Sequence, residues 1–318
     1  FHGGVLRHDG ARNSPRYQEI KEIGKELERI EDEIAGTTVE ASVGIYYSFE
    51  QNWSMDTYRY HSPIDYKKEV MKYYNSLFKK GVNVKFVTKK SALDQLDLLL
   101  VPVMPMVDEA LESKLESYVQ DGGTLVGTFR TGIKNFDNVV TDKTFPGRLA
   151  ELFGIQVHEF TPVTDLPEVS LRFPADGGKE YEVHDWIDCI EPGESKSLAK
   201  YTGGWPGDKG YSGITKNKYG KGSAYYVGFS AEGSFYDALI SSLLERSGIT
   251  TPAESGENVE VRKRQAGDGE KELLFVLNHS STPGSVELSG KYLDIITGEV
   301  KSDTTELDPF GVVILKEK

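Results

Sequence analysis

Residues 98–104 read Leu-Leu-Leu-Val-Pro-Val-Met, and the way this run packs decides the fold. Seven apolar side chains without a polar break do not suit a strand with one wet face; they suit a parallel strand covered on both faces. The flanking sequence carries the same signal. Ala41–Tyr47 and Asn83–Val87 read as strands upstream, separated by a helix that starts at Ser62-Pro63, with Asp65 placed as in a capping box, and ends near Gly81. Downstream, a helix over Asp108–Gln120 stops at Gly122-Gly123, and Thr124–Phe129 is a further strand. Strand and helix alternating at this spacing predict an α/β fold, a flavodoxin-like doubly wound sheet.

Beyond this core the pattern loosens. Residues 146–160 predict a short helix ended by Gly154 and a strand through Ile155–Val157, and residues 168–230 are rich in strands and turns, closing with Ala224–Phe229. A helix over Ser234–Arg246 then returns the chain to the α/β domain, and residues 252–257 form a linker. Short strands follow at Val259–Arg264, Glu272–Asn278, Ser285–Leu288, Leu293–Ile296 and Val312–Leu315, with Gly, Pro and Ser turns between them, which predicts a small terminal β-sandwich. At the other end, residues 14–36 form a capped helix: Ser14 before it, Pro15 at its first position and Gly36 after it. Tyr17, Ile20, Ile23, Leu27, Ile30 and Ile34 make one apolar stripe that a lone helix cannot bury, so it must pack on something else.

Composition bounds the partners. A length of 318 residues exceeds one compact core, and 38% apolar with 27% charged residues is ordinary for a globular protein. The net charge of −13 repels nucleic acid and anionic membranes, so neither is an expected partner. No apolar run approaches the roughly 20 residues needed to cross a bilayer. A single cysteine, Cys189, excludes an intrachain disulfide and a cysteine-built metal site, and fits a reducing, cytoplasmic setting.

Candidate chemistry is sparse. Class I glutamine amidotransferase-like domains carry a nucleophilic cysteine on the turn after a central strand, but the turn after residues 98–104 holds Pro105-Met106, and Cys189 reads as a buried small side chain. The turn after the first strand, Ser48-Phe49-Glu50-Gln51-Asn52-Trp53, is long and aromatic rather than glycine-rich, which argues against a nucleotide or flavin cofactor. The six histidines (His2, His8, His61, His158, His184 and His279) lack the spacing of metal ligands, so no metal is expected. Glu50 and Asp56, around Trp53, are the carboxylates best placed for sugar contact, against the alternative that this loop packs on a neighbouring domain or subunit.

Several motifs in order resemble one family. Phe1-His2-Gly3-Gly4-Val5-Leu6-Arg7-His8-Asp9-Gly10 and Arg16-Tyr17-Gln18-Glu19-Ile20 resemble the last strand-to-helix segment of the catalytic barrel in glycoside hydrolase family 42 β-galactosidases. Tyr47–Trp53, Val119–Leu125, Phe129-Arg130-Thr131-Gly132, Pro146-Gly147, Phe153-Gly154-Ile155 and Leu274–His279 continue the resemblance in register. It implies three parts: residues 1–38 as a remnant of a (β/α)8 barrel, 39–252 as an amidotransferase-like trimerisation domain, and 258–318 as a small all-β domain. It also implies that both catalytic glutamates and the family's metal-binding cysteines lie before Phe1, so that no catalytic residue is expected here. His2 matches a galactose-contacting histidine of the family's final barrel strand, and Trp53 is a second candidate for substrate contact. The expected partners are the rest of the barrel, two further copies in a homotrimer, and a galactoside.

Three functional readings follow. The first is a non-catalytic oligomerisation and support region of a retaining β-galactosidase. The second is a stand-alone carbohydrate-binding protein, which would explain the aromatics but not the helix at residues 14–36. The third, an amidotransferase-like enzyme, lacks a nucleophile at the required turn.

Overall fold

The computed structural model describes residues 4–57, 64–163, 168–256, 258–266 and 272–318. The chain divides into two compact units, the larger made of Ala41–Phe78 with Val82–Thr250, the smaller of Phe1–Glu40, Lys79–Gly81 and Thr251–Lys318.

In the larger unit, the strands Val84–Val87, Val43–Tyr46, Leu98–Val101, Thr124–Thr128 and Gly222–Val227 lie side by side and parallel. The apolar run at residue 98 is covered on both faces, as its composition requires. Leu98 and Leu100 pack in one core with Val70, Tyr73 and Leu77 of the helix Tyr66–Lys79 and with Leu239 and Leu243 of the helix Gly233–Arg246. Leu99 and Val101 point the other way, onto Leu111, Leu115 and Val119 of the helix Glu109–Gln120. The strand stops at Pro102, which cannot donate a ladder hydrogen bond. Val103, at a positive φ of 45°, instead donates its N–H to Thr128 Oγ1 at 2.7 Å.

The expected flavodoxin-like, doubly wound sheet is not formed. From residue 155 the strands Ile155–Pro162, Ser170–Phe173, Lys179–Pro192, Lys196–Thr202, Ser212–Tyr219 and Phe229–Ala231 join the same sheet antiparallel, giving a mixed sheet of 11 strands in a β-rich fold. The physical reason is the length of the connections. The links from Phe173 to Lys179, from Pro192 to Lys196 and from Tyr219 to Gly222 are tight turns, and a parallel crossover needs a dozen residues or more. The 14-residue strand Lys179–Pro192 pairs with Ile155–Pro162, Ser170–Phe173 and Phe229–Ala231 in turn. A second correction concerns residues 49–57: the expected aromatic loop is a helix, Phe49–Thr57, with Ser48 Oγ accepting the Gln51 N–H at 3.4 Å.

The smaller unit is built on a 7-stranded sheet whose pairings are all antiparallel and whose terminal part is β-sandwich-like. In its strand Glu272–Asn278, Leu274 and Val276 face a core containing Val259, Val286 and Leu315. Leu273, on the opposite face, packs with Ile314 and with Ile30 of the helix Pro15–Ile34. That helix starts where its sequence signals place it, Ser14 Oγ accepting the Tyr17 N–H at 3.2 Å. Its stripe is buried only at the carboxyl-terminal end: Ile30 is 4% exposed, whereas Ile20, Ile23 and Leu27 are 44%, 54% and 49% exposed.

Candidate functional site

The carboxyl ends of parallel strands are where open sheets present ligand sites, and in the larger unit the residues just past Thr128 lead into a cleft. Arg130 is held at a positive φ of 59°, uncommon for a residue with a side chain. Gly132, at φ 72°, passes so close to Pro146 that an added Cβ would stand 2.1 Å from the proline carbonyl oxygen, and a Cβ on Gly147 would stand 2.3 Å from the Gly132 oxygen. Two motifs 14 residues or more apart in sequence, Phe129–Gly132 and Pro146-Gly147, are therefore locked against each other because both contacts demand glycine.

Asp188, 4% exposed, organises the wall of this cleft. One of its oxygens accepts the Tyr226 hydroxyl at 2.8 Å and the Arg130 N–H at 3.1 Å, and the other accepts the Trp186 indole N–H at 2.9 Å. Burial pushes its carboxyl above the usual range, and these donors with the Arg130 charge pull it partly back. Trp186 and Asp188 can share one role because alternate residues of a strand point to the same side. The Arg130 guanidinium lies 4.6 Å from the Trp186 ring centre, Phe160 stacks on the same indole at 5.4 Å, and Phe145 lies 5.9 Å from Phe160. The cleft has a volume of about 390 Å³, and Ile133, Lys134, Asn138, Val140 and Thr57 complete its lining. Lys134 donates to Asn138 Oδ1 at 2.9 Å and to Ser54 Oγ at 3.4 Å; burial first, then the Arg130 charge, lowers its pKa.

A second feature is an aromatic surface on the helix Phe49–Thr57. Phe49 and Trp53, one helical turn apart, are 60% and 61% exposed with ring centres 6.2 Å apart. The row continues through half-buried Tyr47, 5.5 Å from Phe49, to Phe86, 6.4 Å from Tyr47 and 48% exposed. The opposite side of the helix is anchored by Gln51, fully buried, whose side-chain amide donates to the Met106 carbonyl at 2.8 Å and accepts the Met106 N–H at 2.9 Å. Trp53, an expected contact residue, is thus displayed on a rigid helix. His2, the other, lies outside the described residues, as does His61.

Cys189, Glu50 and Asp56, the groups the sequence offered for chemistry, are each buried or hydrogen-bonded. Cys189 is fully buried on Lys179–Pro192, and burial with the Asp188 and Glu159 charges pushes its thiol up to about 12. Glu50 accepts the Ser48 hydroxyl, and that hydrogen bond lowers its pKa, the reverse of what a general acid needs. Asp56 accepts from the Asn52 amide at 3.1 Å. Among the described residues no three His, Cys, Asp or Glu side chains cluster as metal ligands would. The Arg130–Trp186–Asp188 cluster was missed by sequence reading: Arg130 stood out only as part of a motif, and nothing pairs it with a strand over 50 residues later.

One unit is a mixed sheet that displays Phe49 and Trp53 on a helix, and the other is built on an antiparallel sheet. Residues 41–250 match the family described as the β-galactosidase trimerisation domain, and residues 258–317 match the β-galactosidase C-terminal domain. The chain belongs to the glycoside hydrolase family 42 β-galactosidases, as their trimerisation and C-terminal portion. It is 32% identical over 325 residues to a β-galactosidase of a Planococcus strain, covering 99% of this chain and 47% of that relative. The solved β-galactosidase of Bacillus circulans sp. alkalophilus superposes with a TM-score of 0.92 at 29% identity, over 100% of this chain and 47% of the other. A catalytic mutant of a family 42 β-galactosidase from G. stearothermophilus gives 0.91 at 27% identity, over 100% and 46%. The chain thus spans about half the length of the curated relatives it matches.

Proposed function

We propose that this chain supports a retaining β-galactosidase acting on terminal β-D-galactosides: the unit of residues 39–252 joins three protomers, and the helix Phe49–Thr57 walls the substrate site of a catalytic barrel. In such an enzyme two glutamates on the barrel carry out double displacement, and this chain contributes no reacting group. The observation that carries the reading is the pair Phe49 and Trp53, two large aromatics held mostly exposed on a helix that Gln51 anchors from behind. An aromatic ring suits the C–H face of a sugar, and a fixed helix costs little further ordering on binding. His2 would supply a further galactose contact at the barrel's last strand.

The experiment joins this chain to a family 42 barrel and follows hydrolysis of a nitrophenyl galactoside. The chain by itself should give no turnover. In the joined enzyme Trp53→Ala should raise KM several-fold with a trimer still present by light scattering. An unchanged KM in an intact trimer would remove Trp53 from the substrate wall.

A further inference from the structure

The cleft beside Arg130 holds charged groups that the reading of the helix Phe49–Thr57 does not use. Arg130 and Lys134 line it as cations, and Asp188 is the carboxyl among the lining residues. Both Asp188 oxygens are already engaged by Trp186, Tyr226 and the Arg130 N–H. Lys134 is 8% exposed, yet among the described residues its ammonium donates to the neutral oxygens of Asn138 and Ser54. A buried ammonium with neutral neighbours is costly unless an anion joins it. The rest of the lining is apolar: Ile133, Val140, Phe145 and Phe160, the last 40% exposed.

We infer that this cleft binds a small carboxylate carried on a six-membered ring. The carboxylate would accept from Lys134 and lie near the Arg130 guanidinium, and the ring would lie against Phe160. A volume of about 390 Å³ is at the small end of ligand pockets, large enough for one ring with substituents. One ammonium, that of Lys134, with neutral described partners among apolar walls suits a monoanion better than a dianionic phosphate. A hexuronate, with a C–H-rich sugar face, and an aromatic acid share this chemistry.

Calorimetry on the 318-residue chain, with D-galacturonate, 4-hydroxybenzoate, D-galactose and inorganic phosphate as probes, tests it. At least one of the two ring carboxylates should bind, and which one does identifies the source of the ring. D-Galactose, which differs from the uronate by the missing carboxylate, should bind at least about tenfold more weakly, as should phosphate. Lys134→Met should weaken the carboxylate about tenfold, and Phe160→Ala about fivefold. Should Lys134→Met fail to fold, Val140→Asp carries the test, because residue 140 is 59% exposed and an added carboxylate there would compete with the ligand. Equal affinity for galactose and galacturonate, tighter binding of phosphate, unchanged binding in Lys134→Met or Val140→Asp, or no binding of any probe would each overturn the inference.

Discussion

Asp188 is 4% exposed and lies on the strand Lys179–Pro192. Its two oxygens satisfy three donors from three segments of the larger unit. Asparagine offers one acceptor oxygen in place of two, so Asp188→Asn should leave a buried donor unmatched and cost about 1–3 kcal/mol in urea unfolding. The pH dependence has a definite sign. The folded-state pKa of Asp188 is raised by burial, so its proton-linked stabilisation is full below the unfolded value and is lost as pH rises through the raised one. The stability gap between the native chain and Asp188→Asn should therefore narrow as pH rises across that window; a gap that widens would contradict the raised value. Gly132 is the other residue with a strict requirement. Gly132→Ala combines a left-handed φ with a 2.1 Å contact to the Pro146 oxygen, and should cost about 2–4 kcal/mol by the same measurement. The sequence marked Gly132 through the motif that holds it; the partner that makes glycine necessary is visible only in the fold.

At the scale of elements, the helix Pro15–Ile34 was legible almost in full. Its cap, first-turn proline and apolar stripe are local signals, and local signals survive into the structure because they act within one or two helical turns. What the stripe packs against was not legible. Ile30 meets Leu273 and Ile314, and Lys316 reaches Glu33 at 3.0 Å, while Ile23 is left more than half exposed. Ile30→Ala should accordingly cost about 2–4 kcal/mol in this chain, and Ile23→Ala under about 0.5 kcal/mol. Comparable losses at both positions would mean that the stripe is covered more evenly than the exposures indicate. The helix Phe49–Thr57 carries the opposite lesson. Its six opening residues are aromatic, polar and unremarkable in propensity, so the sequence suggested a loop; the tertiary bonds from Gln51 to Met106 fix it as a helix.

For the whole molecule, the trimerisation-domain match leads to a direct expectation about mass. Sedimentation equilibrium on the 318-residue chain should give three times the 35.4 kDa protomer mass, and a strictly monomeric chain would place the assembly contacts elsewhere in the full-length relatives. The apolar run 98–104 by itself predicted a strand buried on two faces; residues 98–101 form it, and the strand stops at Pro102. Short runs between Gly, Pro and Ser turns likewise marked terminal strands such as Glu272–Asn278 and Val312–Glu317, though not Val300–Leu307, and the ordered motifs marked the family. Only the tertiary structure decided that the strands after residue 155 extend the same sheet antiparallel, and only it brought Arg130, Trp186 and Asp188 into one cleft. Periodicity reports which face of a strand is buried, an interaction between neighbours in sequence. Strand order, and the meeting of residues 58 positions apart, depend on long-range contacts that no local pattern encodes.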